Sequence, residues 1–294
     1  MTTEAPIFVL GNPRSGTTLL RLMLTSHPLI AVPPECGFLI WLKSRFGDWS
    51  QDALQDSAQV ERFVDEVGQC KKFETWELSA DLMLEEITGR QPTSYADLCS
   101  CIYWAFVKFR DSSAIRWGDK NNFYMSHSTE LVELYPSCKL VHIVRDVRDV
   151  ACSYQALKKQ EFSSPFAPDL PTDAKAIGES WKANVETITR AFESMDPERF
   201  IHVRYEDLVK HSESTLETLC SFVGEEFSPQ MLEFYKYNND KKLEPSKTLG
   251  WKKKTLQPID QQGSGQYRQL LSASDESVLR NLTSALLEEF GYLG

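Results

Sequence analysis

Apolar residues along this chain fall into short runs separated by longer stretches with helical spacing. Five runs read as buried strands: near Ile7–Leu10, Leu29–Val32, Ile115–Gly118, Leu140–Val144 and Phe200–Arg204. The stretches between them predict helices. The first runs from about Gly16 to Ser26 and stops before His27-Pro28, because a residue preceding proline avoids helix. Tyr95 to Phe109 carries Leu98, Ile102, Ala105, Phe106 and Phe109 on one face. Further helices are expected over Phe123–Tyr135, from Val147 through Tyr154, over Ser212–Val223 and over Pro229–Tyr237. Asp173 to Met195 is amphipathic through Ile177, Trp181, Val185, Ile188 and Phe192. Ser274 is expected to cap a last helix reaching Tyr292. Such alternation predicts an α/β domain, a parallel sheet with helices on both faces. No Pro/Gly/Ser-rich linker and no repeat divides the chain, so a single domain is expected over 1–294. The stretch 38–110 reads as an irregular helical insertion with Trp41, Phe46, Trp49, Phe63, Phe73 and Trp76, lining the acceptor side of a cleft.

The most informative junction is IFVLGNPRSGTTLL, Ile7 to Leu20. Gly11 ends a buried strand, Asn12 to Gly16 form a loop, and helical spacing resumes at Thr17. A strand, a glycine-bounded loop and a helix N-terminus together hold an anion on backbone N–H groups. The loop is P-loop-like but departs from GxxxxGK[ST]: Thr17 stands where the lysine belongs, and the cation comes earlier, at Arg14. Such a loop suits a dianion and is poorly equipped for a magnesium–triphosphate.

Other strand ends carry chemistry too. Glu35 directly follows the second strand, where open α/β sheets place ligands; read alone it is as well a helix-capping residue. Lys120 ends the third strand, or is a solvated lysine. Arg145 ends the fourth, and Ser153 lies about two helical turns beyond it. Two separated anion sites suit a nucleotide with phosphates at both ends. Arg148 and Asp149 read as a surface pair. Tyr205 follows the fifth strand and reads equally as a half-buried core aromatic. Asn238 to Gly265 is a low-periodicity, lysine-rich segment.

PRSGTTLL resembles the 5′-phosphosulfate loop of sulfotransferases that use 3′-phosphoadenosine 5′-phosphosulfate (PAPS), in the branch of protein-tyrosine and many bacterial enzymes. The resemblance implies that Arg14, Ser15, Gly16, Thr17 and Thr18 hold the phosphosulfate, and that Glu35 is the catalytic base. It implies a sulfate contact for Lys120, although the family continues with Thr-Pro or Asp-Pro where this chain has Asn121-Asn122. Arg145 and Ser153 match the pair that holds the 3′-phosphate, and Tyr205 in Tyr205-Glu206-Asp207-Leu208 matches a tyrosine near the adenine. Ser246, Lys247 and Thr248, and more weakly Lys252, match a late loop closed over the phosphates. Arg14 and Lys120 would stabilise transition-state charge without a metal. The tyrosine-sulfating enzymes carry an arginine just after the base; Gly37 occupies that place here. The acceptor implied is then a small-molecule, lipid or carrier-bound hydroxyl.

Composition narrows the rest. With 32 basic and 42 acidic residues the net charge is −10, which argues against broad nucleic-acid binding. Met1–Pro6 shows no signal-type segment and no run reaches transmembrane length, so a soluble cytoplasmic protein is expected. Seven scattered cysteines lack zinc spacing and read as reduced thiols. The alternatives are a metal-dependent nucleotide kinase with an atypical loop, and a non-catalytic nucleotide-binding module.

Overall fold

The computed structural model describes residues 5–110, 112–193, 195–260 and 263–293. Residues 1–4 lie outside it, and with them most of the Met1–Pro6 segment. Five parallel strands form one sheet in the order β2-β3-β1-β4-β5. They are β1 (Ile7–Leu10), β2 (Ile30–Ala31), β3 (Arg116–Lys120), β4 (Lys139–Val144) and β5 (Phe200–Arg204). Pairing is in parallel register, with Val9 opposite Lys120 on one side and Val141 on the other.

Side chains of a strand point alternately to the two faces. In β1, Phe8 and Leu10 join one core cluster while Ile7 and Val9 join another. In β4, Leu140 goes with the first, and Val141 and Ile143 with the second. Helices therefore cover both faces, as the sequence pattern predicts. The first cluster packs 38–110 and Ser128–Leu134 against the sheet; the second packs α1 (Thr17–Thr25) and Ser212–Val223.

Most of the aromatics named in the insertion are core. Trp76, Phe46, Phe63, Phe73 and Trp49 are buried, and Phe38, Phe73 and Trp76 form edge and tilted ring contacts. Trp41, 37% exposed, is the exception among the aromatics named from the sequence.

Several boundaries shift for local reasons. β3 starts at Arg116, and Ile115 is exposed. Phe109, expected on the buried face of its helix, is also exposed. The helix expected over Phe123–Tyr135 begins as a 3-10 stretch, Asn122–His127, because the Asn121 side chain accepts from the Phe123 N–H; the α-helix is Ser128–Leu134. The long amphipathic helix, α2 here, is Ala174–Glu193. The last helix, α3, is Ala273–Glu289, and Ser272 rather than Ser274 caps it by accepting from the Asp275 N–H.

Candidate active site

The loop between β1 and α1 is set by backbone conformation and by two outside supports. Gly16 has φ 93°, and a Cβ there would lie 2.5 Å from the Tyr205 ring, so glycine is required twice over. Arg14 is also left-handed at φ 66°, a conformation that arginine rarely adopts. Asn184 of α2 donates to the Asn12 side chain at 2.8 Å. The Arg145 Nη1 donates to the Arg14 carbonyl at 2.9 Å. Gly16, Thr17 and Thr18 face a cavity of about 400 Å³. The N–H groups of a helix's first turn have no intrahelical acceptor, so α1 offers its positive end there.

Two guanidiniums share that cavity. Arg14 donates from Nε to the Ser153 hydroxyl at 3.1 Å and from Nη1 to the Trp251 carbonyl at 3.1 Å. Arg145 donates from Nη2 to the Gly263 carbonyl at 2.7 Å and lies over the Tyr205 ring, 4.4 Å from its centre. The Trp181 indole fixes the Arg145 carbonyl at 3.1 Å. Burial and then the Arg145 charge push the Arg14 pKa down. Among the described residues neither arginine has a carboxylate within ion-pair distance. Among the described residues, the buried Arg145 Nε and the Ser15 hydroxyl have no hydrogen-bond partner. Two cations in mutual repulsion beside orphaned donors fit an anionic nucleotide.

The cavity's far wall is the segment Gly250–Thr255 with Pro258, Ile259 and Asp260. The three late-loop residues favoured from the sequence lie elsewhere. Ser246 is exposed, Lys247 reaches Glu74 at 3.3 Å on the surface, and the Thr248 hydroxyl donates to buried Glu244 at 2.6 Å. Lys252, the weaker match, does line the cavity. Glu244 organises this segment: it accepts from Arg21 at 2.7 Å and Lys252 at 2.6 Å. Burial raises its pKa, and the Lys252 and Arg21 charges more than offset that, leaving it near 2. Glu244 is the sole acid between Lys241 and Lys254, a signal the sequence offered and the reading passed over. Arg148 and Asp149 are not a surface pair: adjacent helical residues point apart. Arg148 pairs with Asp146 at 2.7 Å, and Asp149 accepts from the N–H groups of Gly265 and Tyr267.

Glu35 and Lys120 meet, as side chains from β3 and from the turn after β2. Lys120 bonds Glu35 Oε1, and Lys72, from the insertion, bonds Oε2 at 2.6 Å. Burial works against the Glu35 charge, but Lys120, Lys252 and Lys72 outweigh it and hold the carboxyl well below its ordinary pKa. Burial lowers Lys120 to about 8, with Glu35 opposing. Asp119 sits behind them, pushed by burial up to about 7 and accepting from the Tyr103 hydroxyl at 2.5 Å. Thr17, in the lysine position of a nucleotide-hydrolysing loop, donates to Asn122 at 3.3 Å. Nothing in the spacing of the sequence marked Lys72.

A model of the sulfotransferase family matches residues 6–229. The chain belongs to the sulfotransferase family. Protein-tyrosine sulfotransferase 1 of Danio rerio is 26% identical over 219 residues, 74% of this chain and 52% of that one. Protein-tyrosine sulfotransferase A of Caenorhabditis elegans is 28% identical over 222 residues, 75% of this chain and 50% of that one. This sulfotransferase-family chain thus spans about half the length of the curated relatives it matches. Among solved structures, the sulfotransferase domain of the Synechococcus PCC 7002 olefin synthase superposes with a TM-score of 0.63 at 21% identity, covering 97% of this chain and 96% of that one. The sulfotransferase domain from the curacin biosynthetic pathway gives 0.58 at 20%, covering 96% and 97%. These likenesses carry the fold. No helix among the described residues is long and apolar enough to cross a membrane, and all seven cysteines are unpaired.

Proposed function

We propose that the protein transfers a sulfuryl group from PAPS to a hydroxyl acceptor, with Glu35 as general base. The observation that carries this is the shared cavity of Arg14 and Arg145, cations at two strand ends without carboxylate partners among the described residues. Arg145 and Ser153 would hold the 3′-phosphate, and Ser15 to Thr18 with Arg14 the 5′-phosphosulfate. Tyr205 would border the adenine. PAPS supplies an activated sulfuryl group on a phosphate leaving group.

The acceptor oxygen forms a bond to sulfur as the bond from sulfur to the 5′-phosphate oxygen breaks, and that oxygen keeps the electron pair. Glu35 takes the hydroxyl proton. Arg14, Lys120 and the loop N–H groups offset the charge growing on the leaving oxygen. In the ligand-free arrangement Lys120 neutralises Glu35; a sulfuryl group that drew Lys120 toward itself would leave the carboxylate a stronger base. A kinase reading lacks a loop lysine for β/γ-phosphates, since Thr17 is engaged with Asn122.

Peptide tyrosine is disfavoured as the acceptor. A Cβ at Gly37 would lie 2.5 Å from the Trp41 ring, so an arginine there needs Trp41 moved. A small-molecule, lipid or carrier-bound hydroxyl fits better. The test is a thermal-shift series with adenosine 3′,5′-bisphosphate, ATP, and ATP with magnesium. Without metal, the bisphosphate should raise the melting temperature most, because ligand bound to the folded state stabilises it. Tighter binding of ATP with magnesium would refute the proposal.

A further inference from the structure

We infer that Lys72 is a positioning residue for Glu35, clamping carboxylate Oε2 so that Oε1 is presented to the acceptor hydroxyl. This rests on the reading of Glu35 as base. The sequence separation is 37 residues, so the contact is a product of folding and not of a local turn.

The contact is built from both sides. Lys72 has φ 73° and ψ −7°, a left-handed backbone that a lysine holds only where the surroundings over-determine it. The surroundings do. Thr75 bonds the Lys72 carbonyl through its N–H at 2.9 Å and its hydroxyl at 2.7 Å. The Phe73 N–H donates to the Cys70 carbonyl at 2.9 Å. The Trp76 indole donates to the Pro34 carbonyl at 2.8 Å, one residue from Glu35. Phe38 packs against both Phe73 and Trp76. The turn 70–76 is thereby joined to 34–38, and its one strained backbone position belongs to the lysine that reaches the carboxylate.

The charges around Glu35 divide by element. Lys120 and Asp119 come from β3, Lys252 from the late segment, and Lys72 from the insertion. Lys252 is also held by Glu244 at 2.6 Å, and Lys120 lies two residues before Asn122, which accepts from Thr17 of the anion loop. Of the three lysines only Lys252 lines the nucleotide cavity; Lys72 comes from the insertion and takes the carboxylate oxygen that Lys120 does not. It stays on the carboxylate when Lys120 is drawn away, fixing the direction in which the remaining oxygen points. A base held in one direction gains rate through orientation.

The test uses the full chain with Lys72→Met, Lys72→Gln and Lys72→Arg. A ¹³C titration follows the Glu35 carboxyl, assigned by its loss in Glu35→Gln. With the charge removed, in Lys72→Met or Lys72→Gln, it should titrate about 1–3 units higher, since an opposite charge within 4–6 Å lowers a carboxyl by that much. Lys72→Arg should stay near the parent. With PAPS and 2-naphthol as probe acceptor, kcat should fall roughly 10–100-fold in the neutral variants. The acid limb of its pH profile should move to higher pH, and Lys72→Arg should bring it back. Affinity for adenosine 3′,5′-bisphosphate should not change. A parental titration in both neutral variants overturns the inference. So does parental kcat in both of them when Glu35→Gln is inactive, and in that case the base reading survives alone. Parental turnover in Glu35→Gln removes the base reading and this inference together.

Discussion

The proposed nucleotide side and the proposed acceptor side of this molecule are built in different ways. On the nucleotide side, the backbone does most of the work: a loop, the first turn of α1 and the ends of β1 and β4 set where an anion can sit. On the acceptor side, side chains do it. Lys72 and Trp76 reach the Glu35 segment from an insertion most of whose aromatics, Trp76 among them, are core. Backbone-built sites have a short local signature, while side-chain-built sites need contacts across dozens of residues.

Four experiments bear on that contrast, from the largest expected effect to the smallest. Glu35→Gln should cut turnover by roughly 10²–10⁴-fold while leaving bisphosphate affinity near parental. Equal losses in turnover and affinity would mean that the two sides are not separable. Glu244→Ala strands buried Arg21 and Lys252 and should lower stability by about 3–5 kcal/mol, read by urea unfolding at neutral pH. The Glu244 carboxyl is depressed to about 2, so its contribution is present above the unfolded value near 4.5 and is lost as pH falls toward 2. The gap between parent and variant should narrow across that window; a constant gap would assign the loss to packing instead of charge.

Arg145→Ala should weaken adenosine 3′,5′-bisphosphate by about 1.5–3 kcal/mol in calorimetry, the scale of a charge-assisted hydrogen bond. An unchanged affinity would take Arg145 out of the nucleotide site. Lys247→Ala should do least. Its ion pair with Glu74 is exposed on both sides, and such pairs contribute about 0–1 kcal/mol. A loss of bisphosphate affinity as large as that of Arg145→Ala would return Lys247 to the phosphates.

The same contrast explains what the sequence disclosed. β1, β2, β4 and β5 were legible because buried parallel strands are short apolar runs; β3, RWGDK, is not such a run, and its start was placed one residue early at the exposed Ile115. That Arg14, Thr17, Arg145 and Ser153 line one cavity was foreshadowed because each sits at a fixed offset from a strand end. Glu35 and Lys120 could be placed at strand ends, but not paired, since pairing depends on β2 and β3 being neighbours. Ser246, Lys247 and Thr248 were misplaced because their segment has no periodicity. Its course is set by buried Glu244 drawing in Arg21, Thr248 and Lys252, a contact that spans 223 residues in the case of Arg21. Ser274 gave way to Ser272 as a cap because two serines lay close enough for either to serve, and the local backbone decided between them.

The hydrogen bond from Arg145 to the Arg14 carbonyl has a metrical consequence. It ties the end of β4 to the loop after β1, and the Arg14–Ser153 bond ties that loop to the helix beginning at Val147. The gap between the two proposed anion sites is therefore set by bonds within the protein itself. On the proposed reading the molecule would work as a calliper: a nucleotide would be gauged by the distance between its two charged ends, and one with both charges at the same end would span only one jaw.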